Sequence, residues 1–525
     1  MNKFKEFIRK FHIIPYLICI FVLFIVGYCV KWFRLSDAEA ALGTKAAEIF
    51  NYFNIIFAVV IIGFSVIYFL VVKKISIEKL YVIAAFFVGI LFMLIITPYA
   101  SSDEDNHIFK CYDMVNAIMG SKTYDDPQYH WLRACDANTE LDREVSMKNY
   151  LYVYEHFWEK SDSDEMVLVH VDDVTYDTQA IIYYFPAVAG IWLGRILNLG
   201  TVATYMLGRL FILAVYVMIT YFALKKIPVF KTGFALIMLM PSTIAKAACV
   251  SYDGLLMAYI FLFIAYTVYY IYNKQSLKVK DIVILVLSGL AMTVGKGGAY
   301  LPFLLLLFLI PKTNFGRKIP YPAVVAGAIA GSLLVYCLYN MELFSDVAQS
   351  GQGTVNDLAW TEEEGYTLKY ILTNPLKSLK VFINTFIQFG GLRYVELIGS
   401  GFGWLKVYVS EFYVAAYTLI LVIAGLNVNG EEFTFDRKQK ILMGGIVVIS
   451  SLLVIVSMWL FWTPINYPYV VGVQGRYFIP MLVLVFFIIK NKFMTIKKNI
   501  SNELILAAVL VTIGIIYDIW TKMLV

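Results

Sequence analysis

Asp103, Glu104, Asp105 and His107 fall within five residues, in the stretch ITPYASSDEDNHI that closes a long apolar run. Carboxylates and an imidazole so close together repel one another, stay solvated, or hold something positive. One carboxylate of such a cluster, Asp103 or Glu104, can act as a general base towards a hydroxyl within hydrogen-bond reach. Together with Asp253 the two can also offer oxygen ligands to Mg²⁺ or Mn²⁺. The plain alternative is a solvated cap on an apolar helix. A second group of unusual polar residues lies far along the chain: Asp253 in SYDGLL, Lys296 in GKGGAY, Arg393, and Gln474, Arg476 and Tyr477 in VVGVQGRYFIP. Arginine binds phosphate through its planar fork and lysine as a point charge. Ordinary explanations stand beside these: Asp253 could cap a helix starting at Gly254, and Lys296 and Arg476 could snorkel to lipid headgroups. They account poorly for GKGG and GVQGR as polar interruptions of apolar sequence.

The elements that must position these residues are membrane helices. Of 525 residues, 60% are hydrophobic and 15% charged, and many apolar runs approach the roughly 20 residues that cross a bilayer as a helix. Continuous runs such as 14–30 exclude a β-barrel, which would alternate in short segments. The fold class expected is an all-α polytopic membrane protein with about thirteen transmembrane helices. They are read at 13–33, 53–73, 80–98, 203–224, 229–245, 254–272, 281–294, 299–311, 320–340, 411–427, 441–462, 476–490 and 503–521. The first run is too long for a signal peptide, and no small-residue cleavage site directly follows it. The pieces at 281–294 and 299–311 are short and read as broken helices flanking Lys296.

Charge sets the orientation. Lys3, Lys5, Arg9 and Lys10 precede the first span, and Lys73, Lys74, Lys225 and Lys226 follow later ones, which places the N-terminus in the cytoplasm. Two large loops, about 99–202 and 341–410, then face outward. From Ser101 to Asp177 there are 18 Asp or Glu against six Lys or Arg, nearly half of the chain's 38 acidic residues. With Trp131 and Trp158 this loop reads as a small folded unit, and Cys111 and Cys135 within it could form a disulfide if it lies outside the cell. Residues 181–200, interrupted by Pro186, Gly190, Gly194 and Arg195, read as a helix lying at the membrane surface, and so does 366–389. On this topology the polar residues from both groups share one depth at the outer face. Three units follow: a two-span extension over 1–78, a core over 79–495 and a last span over 496–525.

The stretches SSDEDNH, SYDGLLMA, KGGAYLPF and VQGRYFIP resemble motifs of the bacterial membrane proteins grouped as domain of unknown function 2142, over roughly residues 80–490. That family in turn resembles the GT-C glycosyltransferases. The resemblance implies a GT-C-like bundle that takes a sugar from a polyprenyl-phosphate or polyprenyl-diphosphate carrier at the outer face of the membrane. It places Asp103 or Glu104 as the base or acceptor-positioning group and Asp253 as a second acidic residue of the site. Ser101 and Ser102 stand where the Asp-Glu signature usually follows two prolines, and no second signature fixes the sugar.

The function expected is therefore an inverting glycosyltransferase of the bacterial plasma membrane, passing a sugar to a cell-envelope glycan or lipid-linked acceptor. Asp103 or Glu104 is the catalytic candidate. His107, Asp253, Lys296, Arg393, Gln474, Arg476 and Tyr477 are the substrate-binding candidates. The partners are the lipid-linked sugar, the glycan acceptor and the bilayer; no nucleic acid is expected. No cofactor is required beyond a possible Mg²⁺ or Mn²⁺. The competing class is a flippase, transporter or polymerase of lipid-linked polysaccharide, for which Arg195, Arg209 and Lys246, charges inside apolar runs, are the candidates.

Overall fold

A computed structural model describes residues 12–126, 128–161, 165–171, 181–273, 275–315, 321–339, 356–358, 361, 363–428, 433–490 and 495–525. The basic residues before the first span and parts of both large loops lie outside them. Sixteen helices carry the argument. They are α1 (Ile13–Phe33), α2 (Ala46–Val72), α3 (Ile77–Ile95), α4 (Glu104–Met119), α5 (Phe185–Ile196), α6 (Thr201–Lys226), α7 (Lys231–Met238) and α8 (Pro241–Ala247). Then follow α9 (Tyr252–Tyr272), α10 (Val279–Thr293), α11 (Tyr321–Tyr339), α12 (Pro375–Ile398), α13 (Glu411–Gly425), α14 (Arg437–Trp462), α15 (Ile479–Ile489) and α16 (Ser501–Thr521). Helices dominate because each satisfies its own backbone hydrogen bonds where water is absent.

Among the described residues seven segments are long and apolar enough to cross a membrane: α1, Ser36–Val72, α3, α6, α9, α14 and α16. These seven do not confirm the expected thirteen: several of the other apolar runs fold as shorter pieces. The run 229–245 breaks between α7 and α8, with Pro241 opening the second piece. The run 299–311 winds as a nine-residue 3-10 helix, Leu301–Leu309. At 12 residues α5 is about 18 Å long, too short to cross. The surface segment expected at 366–389 is two helices, Leu368–Thr373 and then α12, which continues to Ile398. Arg393, expected beyond that segment, sits on it.

The acidic loop does contain a folded unit. Its strands β1 (Tyr129–Arg133) and β2 (Met166–His170) pair antiparallel, Trp131 opposite Leu168. Arg133 and Asp136 form a buried ion pair at 2.8 Å beneath them, and the Tyr112 hydroxyl donates to the same carboxylate at 2.5 Å. The disulfide that an outer loop would allow is not formed between Cys111 and Cys135. Cys111 is buried on α4, and the Cys135 sulfur lies 3.4 Å from the Ser161 hydroxyl instead.

The last span does not stand apart from the first two. The Trp520 ring of α16 packs 4.7 Å from Phe53 of α2 and stacks on Tyr150 at 5.2 Å, so the two ends of the chain close one side of a single core. Close backbone approach sets a second seam. Gly190 and Gly194 of α5 face Leu207 and Thr204 of α6, and a methyl group on Gly190 would stand 2.4 Å from the Leu207 carbonyl oxygen. Gly190→Ala should therefore cost about 1–3 kcal/mol by forcing two helix backbones apart. Gly444→Ala, with nothing within 4 Å, should be neutral or stabilising by up to about 1 kcal/mol. Thermal melting of the two purified variants checks this, and equal melting temperatures would refute the seam.

Candidate active site

Glu104 and Arg209 are both completely buried and meet through two parallel hydrogen bonds, Nε to Oε1 at 2.7 Å and Nη2 to Oε2 at 2.5 Å. Sequence dictates both ends of the pair. Glu104 stands in the first turn of α4, where the exposed N–H groups favour a carboxylate. Arg209 also donates to the carbonyls of Met93, Ile96 and Thr97, which the end of α3 leaves without helical partners. The backbone N–H groups of Tyr99 and Val250 complete the shell of Glu104 at 3.1 and 2.8 Å. Both of its oxygens are thus engaged. Through Arg209, Glu104 welds the end of α3 and the start of α4 to α6, and each of its oxygens already accepts two hydrogen bonds.

Asp103 differs. It is the N-cap of α4, a place where an aspartate usually accepts a hydrogen bond from its own helix. Here its backbone is left-handed, φ +61°, and its side chain makes no cap hydrogen bond. The carboxylate is half-buried. It accepts no hydrogen bond from any described residue, although it interacts electrostatically with Lys246 and Arg476. Non-glycine residues with positive φ concentrate where a fold holds a group for a purpose, and Lys296 (φ +50°) and Leu405 (φ +59°) are two more in this neighbourhood.

Asp253, in the first turn of α9, is buried between two cations: Lys296 Nζ is 3.1 Å from Oδ1 and Arg476 Nε is 2.9 Å from Oδ2. Lys296 is brought in by the turn at Gly295–Gly298 and lies 3.8 Å from the centre of the Tyr477 ring. It also donates to the Tyr252 hydroxyl at 2.8 Å. Arg476 is delivered by a 3-10 turn, Gly475–Phe478. His107 faces the same group, sharing a 3.0 Å hydrogen bond with the Tyr184 hydroxyl and meeting Tyr252 edge to face at 5.5 Å.

Through Arg476 this group reaches a small cavity of about 30 Å³, walled also by Ser101, Lys246, Gln474 and the glycine-rich turn Ser400–Gly403. The buried Gln474 amide oxygen there accepts no hydrogen bond. Arg393 stays one step away: it pairs with buried Glu396 at 2.5 Å, and Glu396 accepts from the Gly475 N–H at 2.8 Å. Gly475 fits only without a side chain, since a methyl group would stand 2.1 Å from the Arg393 carbonyl oxygen. Beside the cavity Asp105 pairs with Arg143 at 2.7 Å. Burial raises the Asp105 carboxyl above its ordinary range, and the guanidinium opposes that rise.

Asp103, Asp253, Lys296, Gln474, Arg476, Tyr477 and His107 are thus brought together, Glu104 is set behind them as support, and Arg393 acts on the wall through Glu396. Lys246 was expected only under the transport alternative, and the Ser400–Gly403 turn was not expected at the site. Lys246 was legible as a charge in an apolar run, and GSGFG as a glycine cluster, but neither has a partner close in sequence. The donor set does not fit Mg²⁺ or Mn²⁺ held by Asp103, Glu104 and Asp253, because the oxygens of Glu104 and Asp253 already face cations. Among the described residues no group of three His, Cys, Asp or Glu side chains is placed to hold a metal ion.

A family model described as a predicted membrane protein, DUF2142, matches residues 86–485. No curated protein and no solved structure matches the chain. The match runs from within α3 into α15, so every residue of the cavity lies inside it. The Glu104–Arg209 pair is expected to govern stability. Arg209→Met leaves a carboxylate buried without its cation, which costs about 3–5 kcal/mol, and should sharply lower the melting temperature of the purified protein. Arg393→Met, at a half-buried pair, should cost far less; similar losses for both would refute the assignment.

Proposed function

The chain belongs to the DUF2142 family of membrane proteins, and on that footing we propose that it is a membrane glycosyltransferase. It moves a sugar from a polyprenyl-phosphate or polyprenyl-diphosphate donor to a cell-envelope glycan or lipid-linked acceptor. The site faces outward from the bacterial plasma membrane, and the N-terminus lies inside. One observation supports this reading: Asp103, a carboxylate that accepts no hydrogen bond from any described residue, interacts electrostatically with Lys246 and Arg476, two cations that wall the cavity. A base next to an anion site is what glycosyl transfer from a phosphate leaving group requires.

In this mechanism the acceptor hydroxyl donates its proton to Asp103 as its oxygen attacks the anomeric carbon. The carbon–oxygen bond to phosphate breaks on the opposite face, so the configuration inverts. Negative charge growing on the phosphate is met by cations already fixed in place, which avoids reorganisation during the reaction. Asp253 orients Lys296 and Arg476 through its two oxygens and limits their mutual repulsion. The isoprenoid tail lies along α12, whose residues Leu376, Leu379, Ile383, Phe386 and Ile387 are exposed in one stripe.

A flippase for lipid-linked glycans is the second reading. The break between α7 and α8 and the 3-10 winding of Leu301–Leu309 favour it, since transporters build sites from interrupted helices. The two readings separate on Asp103. A strain lacking the gene, complemented with wild type or with Asp103→Asn, is profiled for surface glycan composition and linkage. Transfer predicts loss of one sugar substituent and a rate reduced about 10²- to 10⁴-fold in the variant, with normal amounts of protein in the membrane. An Asp103→Asn strain with a wild-type glycan profile would remove the base. Loss of a whole polymer with its lipid-linked precursor retained inside would favour flipping.

A further inference from the structure

Resting on the transferase reading, we infer that the donor is a polyprenyl monophosphate sugar and that Lys246 holds its phosphate. Lys246 is 8% exposed. Its ammonium donates to the Ser101 hydroxyl at 3.0 Å, and it has no carboxylate within ion-pair distance among the described residues. Arg476 lies close enough to repel it. A buried ammonium in this state is costly unless an anion joins it, and the ammonium lines the cavity from which an anion would come.

The charge around the cavity specifies which anion. Arg209 neutralises Glu104, Arg393 neutralises Glu396, and Asp253 is shared by Lys296 and Arg476. Lys246 and Asp103 remain. Five cations then face four carboxylates, an excess of one positive charge, and the neighbouring Asp105–Arg143 pair leaves it unchanged.

A sugar joined to a polyprenyl monophosphate is a phosphodiester with one negative charge, which closes the count before reaction. During transfer the anomeric carbon–oxygen bond breaks with its electron pair left on phosphate, which becomes a dianion. The acceptor oxygen forms the new bond to the anomeric carbon, and its proton moves to Asp103, which becomes neutral. The protein's excess rises to two as the phosphate's charge rises to two, so the count closes at both ends of the step. A diphosphate carrier would exceed it by one negative charge at both ends.

Binding of farnesyl phosphate and farnesyl diphosphate to the full-length protein in detergent tests this without any turnover. Farnesyl phosphate, a monoester like the released carrier, has one negative charge fewer than farnesyl diphosphate, and wild type is expected to bind it at least tenfold more tightly. Lys246→Met is expected to lose at least tenfold of that binding, and Lys246→Arg to keep it within about threefold. Diphosphate binding equal to or tighter than monophosphate binding would overturn the inference, and this comparison needs no variant. So would unchanged monophosphate binding in a Lys246→Met protein that melts cooperatively. If that variant does not fold, Ser101→Val, which removes the hydroxyl seating the ammonium, is expected to weaken the monophosphate at least fivefold; no change there overturns the role of Lys246. Lysine-dependent monophosphate binding combined with a wild-type glycan profile in the Asp103→Asn strain would retain the phosphate site and sink the transferase reading. Absence of binding by either lipid would sink the donor assignment itself.

Discussion

The arrangement depends on one buried ion pair. Glu104 and Arg209 come from positions 105 residues apart in sequence, and neither could be buried alone. Paired, they tie three helices together: the carbonyls closing α3, the first residue of α4, and α6 at a point about 12 Å from its start. Asp103 is the residue between the first two of those ends. Its left-handed backbone follows from this, because the chain must turn sharply between a helix end held by Arg209 and a helix start held by Glu104. The supporting carboxylate and the half-buried one are adjacent in sequence and opposite in hydrogen bonding.

A second constraint governs the cations. Lys246, Lys296 and Arg476 arrive on a broken helix, a glycine turn and a 3-10 turn, none of them in the middle of a long regular helix. Regular helices present side chains to neighbouring helices or to lipid; interrupted ones can aim them at a cavity. Asp253, at the first turn of α9, binds two of these cations and leaves the third without a carboxylate. The interruption of several apolar runs is the same property that lets three positive charges converge.

Composition and apolar periodicity made the helical class plain, and the bounds of α1, α6, α9 and α16 follow the apolar runs to within a few residues. The polar residues of the site were legible as interruptions: SSDEDNH, SYDG, GKGG and VQGR all line or support it. What the sequence could not show was which acid of Asp103 and Glu104 is engaged, because the deciding partner, Arg209, lies in the middle of a different span. Lys246 was legible as a charge in an apolar run, but not its approach to Ser101, which lies 145 residues away in sequence; nor can a hydropathy pattern distinguish a crossing helix from a 3-10 piece such as Leu301–Leu309. The metal reading rested on acid types alone and did not account for the cations that fold against them.

Gly475 has a mechanical consequence. Its main chain lies directly on the main chain of α12 at Arg393 and Leu397, with the Glu396 carboxylate clasping its N–H, and the next residue is Arg476. There is no cushion of side chains at that contact. The same helix carries the stripe from Leu376 to Ile387 that the other described residues leave exposed. A tilt or slide of α12 imposed by the thickness of the surrounding bilayer would reach the guanidinium through rigid backbone, so lipid chain length becomes a determinant of where that charge sits.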